Sequence, residues 1–392
     1  MAGLFKFSRL FNGVKNLNKS SYANINTLKT IYKKSNETTV KDLLKIGAVS
    51  AFVGGSVCLA YEFYKRGERR KNFQLNGTMQ NIVLLKDKPA IQPSRKVVYP
   101  TDKTGLQLVL FQYQSCPFCC KVRVFLDYYG ISYDVVEVDP VFRTQIKWSP
   151  YKKVPILLTK VGDSYEPLND SSVIISILAS FLNDPSIPIK ELSSYYSPTA
   201  ISDLDGGLKY EVLNKYYLMY QKGVPKNKSL NDIVEERKWR QWSDEILVHT
   251  LSPNVYRTFK ESYETFSWFR EFGHWDEYFS KIRIYIATNV GAVAMYFIGK
   301  RLKAKYNMND DVRESLYKQT NVWLDGLKAQ NTPFMGGEEP NLSDLTVYGI
   351  FKSIEGCEAF KDLLRSTKLG TWFNAMTEKV QEHSGSKLLN IK

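Results

Sequence analysis

Three of the chain's five cysteines, Cys116, Cys119 and Cys120, fall within five residues. A C-x-x-C pair serves either as half of a zinc site or as a thiol couple in which one sulfur attacks and the other resolves. The zinc reading lacks its second half. No other pair exists, and His249, His274 and His383 stand far away in sequence without ligand spacing, so no metal is expected. Thiol chemistry remains, with Cys116 as the nucleophile and Cys119, one helical turn along, as the resolving thiol. Neighbouring helical positions lie about 100° apart, so Cys120 should face away from Cys116 and pack in the core. This odd, clustered set is no secreted disulfide framework and points to a reducing compartment.

The nucleophile needs a strand and a helix to hold it. Residues 106–114, LQLVLFQYQ, read as a buried strand, and SCPFCCKVRVFLDYYG follows at once, with Val122, Leu126 and Tyr129 at helical spacing and Gly130 as a stop. Cys116 therefore sits at a strand-to-helix turn. Pro117 suits the first helical position, and the partial positive charge of the helix N-terminus favours thiolate at Cys116. A second strand is expected in SYDVVEVDP, a short helical stretch around 142–148, and a third strand in KKVPILLTK. Pro155 interrupts that last run, which a central strand normally forbids. A cis peptide before Pro155 would turn the Val154 N–H and C=O outward beside Cys116, ready to pair with an extended peptide such as glutathione. After a hairpin-like GDSYEPL, NDSSVIISILASFL opens a helix at Asn169 or Asp170. Asp170 and Ser171 at that helix start could bind the carboxylate and ammonium of a γ-glutamyl group, or simply cap the helix, or both.

The 392 residues, 43% hydrophobic and 24% charged, exclude wholesale disorder, a collagen-like fibre and a multi-span membrane protein. The net charge of +14 is uneven. Residues 1–105 hold 19 Lys and Arg against 6 Asp and Glu, leaving +1 for the rest, so the folded body has no cationic groove and no nucleic-acid partner is expected. Residues 1–42 form a basic arm: the first 36 carry seven cations and no acid, the composition of a targeting peptide or of a disordered basic tail. Residues 46–61 are sixteen uncharged residues between basic flanks, and 43–64 is read as one transmembrane anchor rather than a buried helix, with the denser cations after it placing the body on the cytosolic or matrix side. Residues 65–105, with Pro89, Pro93 and Pro100, read as a linker. Residues 106–192 make the thiol domain and 193–385 a helical domain. In the latter Trp239, Trp242, Ile246 and Leu247 form an apolar stripe, with His249 as a satisfied core histidine. Residues 284–299 are too short and too polar at Asn289 for a second span, and suit a buried or subunit-interface helix. Asn341 and Asp344 should cap the helix of PNLSDLTVYGIF.

Strand, CPFC, helix, strand, VP, strand and D-S at a helix start together resemble the glutaredoxin-type thioredoxin fold found in the N-terminal domain of glutathione transferases. More narrowly, FQYQSCPFCCKVRVFLDYYGISYDVVEVDP, YKKVPIL and LNDSSVIISIL, with KWRQWSDEILVHTLSPNVYRT, AMYFIGKRLK and PFMGGEEPNLSDLTVYG, resemble the type 2 membrane-associated prostaglandin E synthase family over about residues 106–380. The resemblance implies an α+β chain: a glutaredoxin-like N-terminal domain, an all-α glutathione-transferase-like C-terminal domain, and an N-terminal membrane anchor. It implies a homodimer on the Golgi membrane, whereas the N-terminal composition alone suggests a mitochondrial one. It further implies isomerisation of a lipid endoperoxide, prostaglandin H2, to prostaglandin E2. There Cys116 would engage one endoperoxide oxygen, Tyr113 would hydrogen-bond the developing alkoxide, and Phe118 would wall the lipid tail. Glutathione would bind through Val154, Pro155, Asp170 and Ser171, and haem could join it through the glutathione thiolate, in which form the endoperoxide is broken down instead. Cys120 departs from the family pattern. Two other functions fit the same motif: a membrane-anchored glutathione-linked thiol–disulfide oxidoreductase, for which C-x-x-C suffices, and a glutathione- and haem-binding adaptor without turnover.

Overall fold

Leu110 is completely buried because the strand that carries it runs through the middle of a sheet. The computed structural model describes residues 84–202, 208–225 and 228–388. The anchor expected at 43–64 and the basic arm before it lie outside the described residues. The first layer comprises β1 (Arg95–Val97), β2 (Leu108–Gln112), α1 (Pro117–Tyr129), β3 (Tyr133–Glu137), β4 (Ile156–Val161), β5 (Ser164–Asn169) and α2 (Ser171–Asn183). The strand order is β1-β3-β2-β4-β5. β2 and β3 are parallel, joined through α1, and the other pairings are antiparallel. This mixed sheet is the glutaredoxin-like arrangement expected.

Side chains alternate along a strand, so β2 feeds two cores. Leu108 and Leu110 pack with Leu157 against α1 and α2 in the main core. Val109 and Phe111 face the other way, with Ile156, Leu158, Ile146 and Val154. Pro117 opens α1 and Gly130, at φ 62°, closes it in the left-handed conformation that glycine adopts without penalty.

The second layer is helical. After α3 (Ile189–Ser194) a two-stranded ribbon intervenes, β6 (Thr199–Ser202) with β7 (Leu208–Glu211). Then come α4 (Leu230–Trp242), α5 (Val248–Val255), α6 (Phe259–Phe272), α7 (Trp275–Tyr278), α8 (Lys281–Tyr285), α9 (Gly291–Lys305), α10 (Val312–Gln330), α11 (Leu342–Lys352), α12 (Glu358–Ser366) and α13 (Leu369–Gln381). Asn341 and Asp344 form the expected reciprocal capping box of α11. That helix lies directly on α1: a Cβ at Gly349 would stand 2.8 Å from the Lys121 Cα, so only glycine allows the two backbones this close. The described residues form one unit.

Four expectations need correction. The described part of the expected 65–105 linker is folded: Ser94 N–H donates to Val135 O at 2.7 Å, and β1 pairs with β3 as an edge strand, where prolines nearby do no harm. Ile246 does not share the buried stripe with Leu247. A π-helical segment, Ser243–Leu247, shifts the helical phase there and turns Ile246 out to solvent. His249 is half-buried and stacked on Tyr306 rather than satisfied in the core. The helix that contains 284–299 is longer than the sixteen residues expected, running over 25 residues, 281–305, and is only partly buried.

Candidate active site

The pairing register brings the expected residues to one end of the sheet. Phe111 pairs with Ile156, and Ile156 with Asn169, so the three strands are level there. Just beyond that row stand Tyr113 and Cys116 after β2, Val154 and Pro155 before β4, and Asp170 and Ser171 after β5. The Val154–Pro155 bond is cis, as expected. Tyr113, Cys116, Cys119 and Val154 share one cluster on the sheet face away from the main core.

Cys116 is the N-cap of α1, with extended backbone. It is half-buried, whereas Cys119 and Cys120 are fully buried. The Cys116 thiol is held below the ordinary cysteine range, first by the hydrogen bond that Cys119 gives it and further by the N–H groups of Cys119 and Phe118 and the charge of Arg123, all against its burial. Cys119 is driven the opposite way by burial and by its position beside the Cys116 sulfur. The two sulfurs are thus driven apart, Cys116 toward ionisation and Cys119 away from it. Burial also lifts Cys120 to about 11, and its sulfur is engaged by Gln114 O at 3.3 Å and by Arg123 Nη2 at 2.9 Å. It faces the interior and takes no part in the site.

Tyr113 is pushed up to about 12 by burial, with Arg143 opposing the shift, so its hydroxyl stays protonated at physiological pH and can donate. Asp170 caps α2: Oδ1 accepts from Ser172 N at 2.8 Å and from Val173 N at 3.4 Å. Its φ of 69° is costly for a non-glycine residue and is typical of backbone held at functional sites. Beside it, Asn169 Oδ1 is buried without a hydrogen-bond partner. Ser171 is buried at the first turn of the same helix.

Three residues escaped the sequence reading. Tyr151 lies between the two halves of the site: burial raises its hydroxyl, the neighbouring charges being Asp170 and then the two motif cysteines. An aromatic three residues before Val154 was the available signal. Arg143 stands at φ 51° on the loop after β3, with Nη1 donating to Lys152 O at 2.8 Å and Nε buried and unpaired beside the Tyr113 side. Arg123 sits under the motif, where Nη1 donates to Gln112 Oε1 at 2.5 Å and Gln112 in turn to Glu137 Oε1 at 2.6 Å. Neither arginine had a spacing that marked it. The described residues contain no group of His, Cys, Asp and Glu able to hold a metal ion.

Residues 110–185 match the family described as Glutathione S-transferase, N-terminal domain. Over 280 residues the chain is 45% identical to Prostaglandin E synthase 2 of Mus musculus, covering 71% of each chain. Against Prostaglandin E synthase 2 of Danio rerio the identity is 42% over 289 residues, 72% of this chain and 73% of that one. Among solved structures, glutathione transferase F7 from Populus trichocarpa is 13% identical, covering 71% of this chain and 99% of its own, with a TM-score of 0.38.

Proposed function

The chain belongs to the prostaglandin E synthase 2 family and is a prostaglandin E synthase, and from that premise we propose that it isomerises prostaglandin H2 to prostaglandin E2 at the Cys116 sulfur. The observation that carries the reading is the unequal thiol pair, a half-buried Cys116 held below its ordinary pKa by a fully buried Cys119. The thiolate would bond to one endoperoxide oxygen as the O–O bond breaks, and the other oxygen would take a proton from the side where Tyr113 stands. Loss of the hydrogen on the carbon bearing the sulfur-bound oxygen, with cleavage of S–O, forms the ketone and returns the thiolate. Protons and electrons balance within the substrate, so no outside reductant is consumed.

Glutathione fits the same end of the sheet. The Val154 backbone would pair with the peptide, and Asp170, Ser171 and the unpartnered Asn169 Oδ1 would meet the γ-glutamyl group, which brings the ligand's sulfur toward Cys116. Haem finds no axial histidine beside Cys116: His249 stacks on Tyr306, His274 faces Glu277, and His383 bonds Asp127 O. In this reading haem is held only through the glutathione thiolate, and no step passes through it. Membrane attachment would reside in the N-terminal segment around 46–61.

The buried Cys119 also supports a second reading, a glutathione-linked thiol–disulfide oxidoreductase, since a shielded resolving thiol suits that reaction. The experiment that tests the proposal assays the purified full chain side by side with prostaglandin H2 and with a protein disulfide, each with and without glutathione. Prostaglandin E2 formation without net thiol consumption supports the isomerase, and disulfide reduction alone overturns it.

A further inference from the structure

The continuous helix over residues 281–305 carries six cations, Lys281, Arg283, Lys300, Arg301, Lys303 and Lys305, and no acid. The whole 25-residue helix is long and apolar enough to cross a bilayer by length and composition. Part of it packs on the body. One stripe, including Ile284, Ala287, Ala292 and Gly299, is buried against the body, where Ser262 Oγ donates to Ala292 O at 2.7 Å and a Cβ at Gly299 would stand 3.3 Å from Tyr256. The opposite stripe is bare. Ile282 is 73% exposed, Tyr285 67% and Phe297 62%.

We propose that this outward face, with Phe259 of α6 beside it, seats on the surface of an anionic lipid bilayer. The aromatic side chains form one patch: the Phe259 and Tyr296 rings are 5.9 Å apart, and the Tyr296 and Phe297 rings 5.2 Å. Lys300 Nζ stands 4.8 Å over the Tyr296 ring, so cation and aromatic face outward together. Bulky apolar and aromatic groups interleaved with cations on one helix face are the chemistry of an in-plane membrane helix. Lys281, Lys300, Arg301 and Lys305 have no acidic partner among the described residues, which leaves their charge for lipid phosphates and carboxylates. A second copy of the chain fits less well. A two-fold axis would lay the same cations against themselves, with no acid on the segment to answer them. Arg283 also pairs with Asp139 at 3.0 Å, so the N-terminal end of the stripe is tied to the loop that carries Arg143.

The test places a benzophenone amino acid at Phe297, and separately at Leu364 as an exposed reference on α12, in the purified full chain. Each protein is irradiated with vesicles of phosphatidylcholine alone or with phosphatidylserine added. Lipid adducts at Phe297 in clear excess over Leu364 on the anionic vesicles are expected. The doubly exchanged Lys300→Glu, Arg301→Glu chain, with unchanged circular dichroism and thermal unfolding, should reduce that yield by at least about fivefold, on the scale of surface attraction per cation. Adducts between two protein chains at Phe297 would overturn the proposal in favour of self-association. Yields equal to those at Leu364, equal on neutral vesicles, or unmoved by the charge exchange would overturn it outright.

Discussion

Lys121 Nζ meets Asp244 Oδ1 at 2.5 Å, with the lysine fully buried and the carboxylate nearly so. The pair joins α1, directly behind the cysteine motif, to the π-helical turn of the second layer. Ser172 completes it, accepting from Lys121 at 3.1 Å and donating to Asp244 Oδ2 at 2.5 Å. Removing one member of such a pair strands a charge, so Asp244→Ala should lower unfolding free energy by about 3–5 kcal/mol. Urea titration followed by tryptophan fluorescence measures this.

The same carboxylate sets an acid limit. Burial would raise the Asp244 pKa, yet Lys121 and Ser172 more than offset it and hold the group below its usual value. A folded pKa below the unfolded one gives stability that is present above about pH 3.9 and is lost as pH falls through the folded value. The stability difference between the native chain and Asp244→Asn should therefore shrink as pH drops below about 4, and an unchanged difference would deny the ion pair its charge.

The two motif thiols should separate by pH. Cys116, held low, should react with iodoacetamide at pH near 6, well below the ordinary cysteine value of about 8.5. Cys119 and Cys120 should stay unlabelled in the folded chain, because burial raises both. Cys119→Ala removes the hydrogen-bond donor and should move the Cys116 labelling profile to higher pH. Peptide mapping by mass spectrometry reads all three sites.

Asp170 tests the glutathione site without confusing binding with folding. Asp170→Asn keeps a side-chain oxygen for the α2 cap and removes the charge. Glutathione affinity, by calorimetry, should fall by about 1.5–3 kcal/mol while the unfolding midpoint holds. An unchanged affinity in this folded variant would put the peptide elsewhere.

The sequence made the site legible where local rules act alone. Pro117 and Gly130 bound α1, Pro155 marks the break before β4, and Asp170 marks the start of α2, all through backbone chemistry carried by single residues. What escaped depends on packing between distant segments. Arg123 carries no local signal, yet it is buried and donates hydrogen bonds to Gln112 and the Gln114 carbonyl. Arg143 owes its left-handed backbone to a loop, and Ile246 its exposure to a π turn, neither of which leaves a period in the sequence. β1 has only three residues, too few to show alternation among the prolines around it.

The central claim is that Cys116 acts and Cys119 serves it. Purified full chain and the Cys116→Ser and Cys119→Ser variants, each checked by circular dichroism, should be given prostaglandin H2 and the prostaglandin E2 formed measured by mass spectrometry. The account predicts that Cys116→Ser falls to the uncatalysed background. Cys119→Ser should keep most of the activity, because its hydroxyl still donates to the Cys116 sulfur and no disulfide is needed in a net-neutral rearrangement. Equal loss in the two folded variants, or turnover that survives Cys116→Ser, would contradict it.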